Sequence, residues 1–396
     1  MRRFLLPVGV SVLFVAWSPF VGEIRTLIRD TFPNQFVAIM TLTVGFGLCV
    51  AAGSAVAGIR VHRLSRYGMV ILSGGLATWY AVTLATGNPD VDAVERFHFL
   101  EYGLVGLLFY RALSGTASVA SLPTLVALAL LCGALVGTAE EWMQWLAPRR
   151  VGEARDVVLN LYAVMCGIVF GLGVRPPVRS TGPSIPSTAG AQGTMSEGSA
   201  RDEWWHVEWR PVAALGAVAL AAFAIFYDVA HLGYAVTDEE IGQFRSAFTH
   251  DALIDLQRER AAAWSADPPR ELPLIGKEDF YLTEGGWRVQ YRNDLYARQR
   301  FSEAWLENRI LEKYWDPFLE LQSFSSGDRH RWPSAQRAEV EAQRGHVRPG
   351  TYLSPVGEAV IVTWPTRAQF WMAIGVIELG LLSVWLGSRH RKTGTQ

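Results

Sequence analysis

Apolar residues gather along this chain in eight stretches separated by polar breaks, at roughly 4–21, 36–59, 68–86, 97–114, 118–138, 157–174, 211–227 and 368–387. A hydrocarbon layer of about 30 Å needs about 20 mostly apolar helical residues, so each stretch predicts a transmembrane helix. The fourth and sixth carry polar residues near one end and read as the weakest of the set. Between the seventh and eighth lies one long polar region, 228–367. There Thr237-Asp238-Glu239-Glu240 has the form of a capping box before a helix. Phe301 to Phe324 brings Trp305, Ile310, Leu311, Tyr314, Phe318 and Leu321 to helical spacing, and Val356 to Trp364 alternates loosely, as a strand or hairpin would. The fold class predicted is an all-α polytopic membrane protein of about eight transmembrane helices. A small, mostly helical extracytoplasmic domain lies between the last two.

Composition agrees with that pattern. Of 396 residues, 50% are hydrophobic and only 18% charged, with mean hydropathy +0.16, which separates the chain from ordinary soluble enzymes. A net charge of -1 offers no basis for binding nucleic acid. Cys49, Cys132 and Cys166 all fall inside apolar segments, where burial is expected, and their spacing suits neither a disulfide framework nor a metal site. Met1-Arg2-Arg3 followed by an apolar run resembles a signal peptide. Its best small-residue site, Ala16-Trp17-Ser18, is followed by Pro19, so an uncleaved first span is expected.

Basic residues in the loops set the orientation. Arg2 and Arg3, then Arg60, Arg63 and Arg66, then Arg175 and Arg179, and finally Arg389, Arg391 and Lys392 all read as cytoplasmic. Eight spans satisfy these together and place both termini in the cytoplasm of a multi-pass cell-membrane protein. The 139–156 loop, with three arginines, runs against the rule on the outer side. The domains expected are N-terminal transmembrane helices at 1–90, a transmembrane domain at 91–175, a flexible cytoplasmic linker at 176–203, a transmembrane helix at 204–227, the extracytoplasmic domain at 228–367 and a last helix with a short basic tail at 368–396. The linker rests on Ser, Pro, Gly and Thr, as in Ser180-Thr181-Gly182-Pro183. Trp204, Trp205 and Trp209 read as an interfacial belt. Gly167 and Gly171 form a small-xxx-small pair that permits close helix approach.

Polar residues interrupt three of the spans. Glu95, Arg96, His98, Glu101 and Tyr102 open the fourth; Glu140, Glu141 and Gln144 close the fifth; Arg149, Arg150, Asp156 and Asn160 precede or open the sixth. In the eight-span arrangement all three groups fall at the same outer face. His98 with Glu101, Glu141 with Gln144, and Asp156 with Asn160 are three or four residues apart, so each pair shares a helix face. Ionisable groups beside hydrocarbon are costly and mark either a functional site or a paired structural network.

The run Glu95-Arg96-Phe97-His98-Phe99-Leu100-Glu101-Tyr102 resembles the opening motif of the VanZ-like family. Glu141-Trp142-Met143-Gln144, then Pro148-Arg149-Arg150, Asp156 and Asn160, resembles that family's second half. The resemblance covers about residues 90–175. Glu95-Arg96 replaces the family's Asp-Lys and keeps its charges, Ala163 replaces its small Gly, and Arg150 aligns with its arginine. The resemblance implies a cell-envelope protein with a teicoplanin-resistance-like role, whose partners are membrane lipids and a lipid-linked envelope precursor or a glycopeptide.

Three readings stand. A structural network would pair Glu101 or Glu141 with Arg150, and Arg96 with Asp156. A binding protein would use Arg96, Gln144, Arg150 and Asn160 to recognise an envelope component. A membrane-embedded hydrolase or transferase would use Glu141, His98, Glu101 and Asp156 for acid-base or metal chemistry. One histidine among carboxylates specifies no metal site, and the residues name no cofactor.

Overall fold

The computed structural model describes residues 2–83, 87–116, 121–147, 152–177, 206–267, 280–323 and 327–390. Arg149, Arg150, Arg179, Trp204, Trp205, Phe324, Arg391, Lys392 and most of the 176–203 linker lie outside them. The described chain is largely helical and divides into two compact units.

The first unit, Met1–Met143, Ala154–Ala224 and Ile374–Gln396, is a helical bundle. Its helices are α1 (Leu5–Thr31), α2 (Phe36–Gly58), α3 (Arg63–Thr83), α4 (Pro89–Ser114), α5 (Leu122–Leu146), α6 (Ala154–Val174), α7 (Trp209–Ala230) and α13 (Arg367–His390), the last residues of α5 and α7 and the first of α13 falling in the second unit. Among the described residues, six segments are long and apolar enough to cross a membrane: Arg2–Thr31, Phe36–Gly58, Leu122–Leu146, Ala154–Val174, Trp209–Ala230 and Arg367–Ser388. Their outward faces carry Leu42, Phe46 and Val376, each at least 70% exposed. Such surfaces suit hydrocarbon rather than water. The sixth span, expected among the weakest, has the highest mean hydropathy, 2.2. Its polar residues sit in the first two turns, and an unbroken apolar run follows them. α3 and α4 fall short of the span criterion. α3 opens on Arg63 and Arg66, and α4 carries acids and bases along its first half.

α4 and α6 pack backbone against backbone. A Cβ on Gly167 would lie 1.9 Å from the Gly103 carbonyl oxygen, and one on Gly106 would lie 2.3 Å from that of Val164. The small pair read from the sequence thus serves this contact, while Gly171 makes room for the Tyr110 ring. α3 joins α6 through polar side chains: Ser73 donates to the Cys166 carbonyl (2.8 Å), Tyr162 to that of Leu76 (3.1 Å) and Arg66 to that of Gly173 (2.8 Å). Cys49 is exposed on α2, contrary to expectation, because apolar residues of a membrane helix point outward as readily as inward.

The second unit comprises Gln144–Glu153 and Ile225–Ala373. Strands β1 (Tyr234–Asp238) and β2 (Gly242–Ser246) form an antiparallel hairpin, and β3 (Tyr352–Leu353) pairs parallel to β2. Gly242 has φ +140°, and a Cβ there would lie 2.0 Å from the Tyr352 carbonyl oxygen. Around the sheet lie α8 (His250–Ala266), α9 (Phe280–Ala297), α10 (Phe301–Tyr314), the short α11 (Asp316–Leu319) and α12 (Ser334–Gln343). The helical spacing read at 301–324 appears as α10 and α11, with a break at Trp315 and an end at Leu319. Thr237 to Glu240 is not a helix start. The Asp238 carboxylate accepts from the Glu240 and Ile241 amides (3.0 and 3.2 Å) at a hairpin turn, which is the capping hydrogen bond in another backbone setting. Nor is 356–364 a strand. It forms turns, with a single bridge from Val362 to Leu232.

Several charged side chains are buried together inside this unit. Arg288 is fully buried, 3.5 Å from Glu307, and donates to the Arg245 carbonyl (2.7 Å) and the Ser354 hydroxyl (3.3 Å). The Phe244 and Trp315 rings lie 4.7 and 4.9 Å from its guanidinium carbon. Tyr352 donates to the second oxygen of Glu307 (2.8 Å). Burial pushes the Asp238 carboxyl up, but Lys313 at 2.7 Å and the Tyr314 hydroxyl at 2.6 Å outweigh it and hold it down at about 2. Glu284 behaves oppositely: burial raises it to about 7, against Arg288 and a hydrogen bond from the Ala247 amide. Arg367 donates to Asp228 (2.6 Å), the Tyr234 hydroxyl (2.9 Å) and the Leu232 carbonyl (3.0 Å), tying together the chain segments that enter and leave the unit.

Candidate functional site

The start of α4, the end of α5 and the start of α6 meet at one end of the bundle. Close packing of α4 on α6 brings Tyr102 and Asn160 within reach of one α5 carboxylate. Tyr102 donates a short hydrogen bond to Glu140 Oε2, and Asn160 Nδ2 donates to the same oxygen at 3.4 Å. Gly137, one turn before Glu140, lets them in. A Cβ there would lie 3.1 Å from that of Asn160 and 3.7 Å from the Tyr102 ring. Tyr102, Glu140 and Asn160 are all buried.

Among the described residues, two polar atoms in or beside this cluster have no hydrogen-bond partner. Asn160 Oδ1 and His98 Nδ1 are enclosed and accept or donate no hydrogen bond. The amide orientation follows from its neighbour, since turning Asn160 over would set its oxygen against a carboxylate oxygen. The His98 ring stacks near that of Tyr102, with centroids 6.2 Å apart. Neutral donors on one side of the cluster and unused polar atoms on the other suit recognition of a polar group.

The expected site residues distribute as follows. Asn160 stands in the cluster and His98 borders it. Glu141 and Gln144 are buried on α5 beside Glu140, and Arg96, Glu101 and Asp156 are half-buried on α4 and α6. Arg150 lies outside the described residues. An ion pair between α4 and α6 joins Arg155 to Glu95 at 2.7 Å, not Arg96 to Asp156 as the structural-network reading would have it. One residue of register on each helix decides which pair meets. Glu140 and Tyr102 belonged to the constellation but not to the expected site. Their signal was spacing: Tyr102 lies four residues after His98, on the same face. Among the described residues, no three His, Cys, Asp or Glu side chains converge as metal ligands. No family model matches the chain, and neither does a curated protein or a solved structure.

Proposed function

We propose that this chain is an eight-span, VanZ-like protein of the cell membrane. Its polar cluster recognises the polar part of an envelope component, either a lipid-linked precursor or a glycopeptide antibiotic of the teicoplanin type. The observation that carries the reading is the pair of unused atoms, Asn160 Oδ1 and His98 Nδ1, beside an engaged carboxylate. Each unmet polar group beside hydrocarbon is costly, which favours a ligand that engages these atoms.

Eight spans are supported by the faces of the two helices that miss the composition criterion. α3 exposes Ile71, Trp79 and Val82, as a lipid-facing helix does, and α4 buries Tyr102, Val105, Phe109 and Tyr110, as an interior helix does. Eight crossings put both termini in the cytoplasm. The Arg155–Glu95 pair also offsets one arginine of the loop that runs against the positive-inside rule.

The test uses the full chain in lipid nanodiscs. Asn160→Ala and Glu140→Gln should weaken binding of teicoplanin, or of a soluble analogue of the lipid-linked precursor, at least tenfold with the melting temperature little changed. Parallel loss of melting temperature and binding would make the cluster a helix staple and end the proposal. Sidedness is checked by a single cysteine at Ala154, in a background with Cys49 replaced, using a membrane-impermeant thiol reagent on intact cells. Labelling places the cluster outside, and labelling only after lysis removes the envelope reading.

A further inference from the structure

A second polar group lies in the bundle, away from this cluster. Glu378 is the twelfth of the 24 residues of α13, about 16 Å from either end at 1.5 Å per residue. It lies inside the membrane-crossing segment Arg367–Ser388. An ionisable residue at that depth marks a site by default. Its Oε1 is enclosed and, among the described residues, has no hydrogen-bond partner. Among the described residues it forms no ion pair, and Arg210, the one arginine of α7, stacks over the Trp385 ring instead.

Glu378 opens onto a groove between α7 and α13 of about 620 Å³, a volume in the range of small-molecule sites. The groove exists because one wall is short. Ala213, Ala214 and Ala217 line one wall and Leu382 and Trp385 the other, and short side chains opposite long ones leave space, widened by Gly375. Helical spacing puts Gly375, Glu378, Leu382 and Trp385 on one side of α13. The lining is hydrocarbon and indole except for one carboxyl group. A single carboxylate without further oxygen ligands does not make a metal site. Apolar walls with one acid at depth favour a ligand that carries one positive charge on a hydrocarbon body.

We propose that this groove binds a lipophilic amine, the ammonium on Glu378 and the hydrocarbon along the alanine wall and Trp385. The site shares no residue with the Tyr102–Glu140–Asn160 cluster and does not depend on its reading.

Dicyclohexylcarbodiimide, which partitions into lipid and reacts with carboxyl groups there, tests this on the full chain in nanodiscs, with the adduct on Glu378 measured by peptide mass spectrometry. N,N-dimethyldodecylamine, which cannot form an amide, should reduce labelling at Glu378 at least fivefold at a concentration where dodecanol has no effect. Glu378→Gln identifies the adduct. Absence of labelling, labelling the amine does not reduce, or equal protection by dodecanol would each overturn the proposal. The first would place the carboxyl out of reach of the lipid phase, and the last would leave an apolar groove without charge recognition.

Discussion

The polar domain and the membrane bundle both bury charge, yet they compensate it differently. In the domain, Arg288 has a carboxylate, a carbonyl, a hydroxyl and two aromatic faces, and Glu307 has Tyr352 as well. In the bundle, Tyr102 and Asn160 donate to Glu140, and among the described residues Asn160 Oδ1 and His98 Nδ1 have no hydrogen-bond partner. The domain leaves atoms unmet as well, Arg288 Nε, Glu307 Oε2 and Glu284 Oε2 among them. What separates the two is the kind of partner: an ion pair and two aromatic faces hold Arg288, whereas the bundle cluster is built from hydroxyl and amide hydrogen bonds around one carboxylate.

Breaking the domain network should give the largest effect. Arg288→Ala leaves Glu307 buried without its counter-charge and should cost about 3–5 kcal/mol, read from denaturant unfolding followed by tryptophan fluorescence. A cost below about 1 kcal/mol would erase the contrast with the bundle.

The bundle should be most sensitive at its backbone contact. Gly167→Ala drives a methyl group into the Gly103 carbonyl and should cost about 1–3 kcal/mol through forced separation of α4 and α6. A lowered melting temperature in nanodiscs, with weaker ligand binding, would show that the cluster depends on that approach.

Acidity sharpens the domain side. Asp238 is held at about 2, against an unfolded value of about 3.9. Its contribution, up to about 2 kcal/mol, is complete above pH ~4 and is lost as pH falls toward 2. Asp238→Asn should remove that acid-side slope. Glu284, raised to about 7, has the opposite sign: the folded state holds the extra proton, so stability declines as pH rises from about 4.3 to 7. Glu284→Gln should flatten this second limb. Unfolding midpoints across pH 2–8 check both.

The smallest stability change belongs to the cluster. Asn160→Ala removes one long hydrogen bond of 3.4 Å and an oxygen with no protein partner, so it should cost about 1 kcal/mol or less. A large loss of binding at that small cost is what distinguishes a site from a staple, and a melting-temperature assay beside a binding assay reads it.

How far the sequence reaches depends on the range of the interaction. Apolar runs predicted the membrane helices, because twenty residues of hydrocarbon contact is a local requirement that composition meets or fails. The aromatic spacing at 301–324 predicted α10 and α11 for the same reason. Asp238 shows where local reading stops. Its side chain caps backbone amides whichever fold surrounds it, and only pairing of Tyr234–Asp238 with Gly242–Ser246 made that segment a hairpin rather than a helix start. Around the cluster, the sequence alone predicted that Glu95, Tyr102, Glu140 and Asn160 lie at matching ends of neighbouring helices. Tertiary structure decided that Glu95 meets Arg155 and that Tyr102 and Asn160 meet Glu140. Gly103 against Gly167 sets the depth and rotation of α4 on α6, and a rotation of one residue would point a different acid inward.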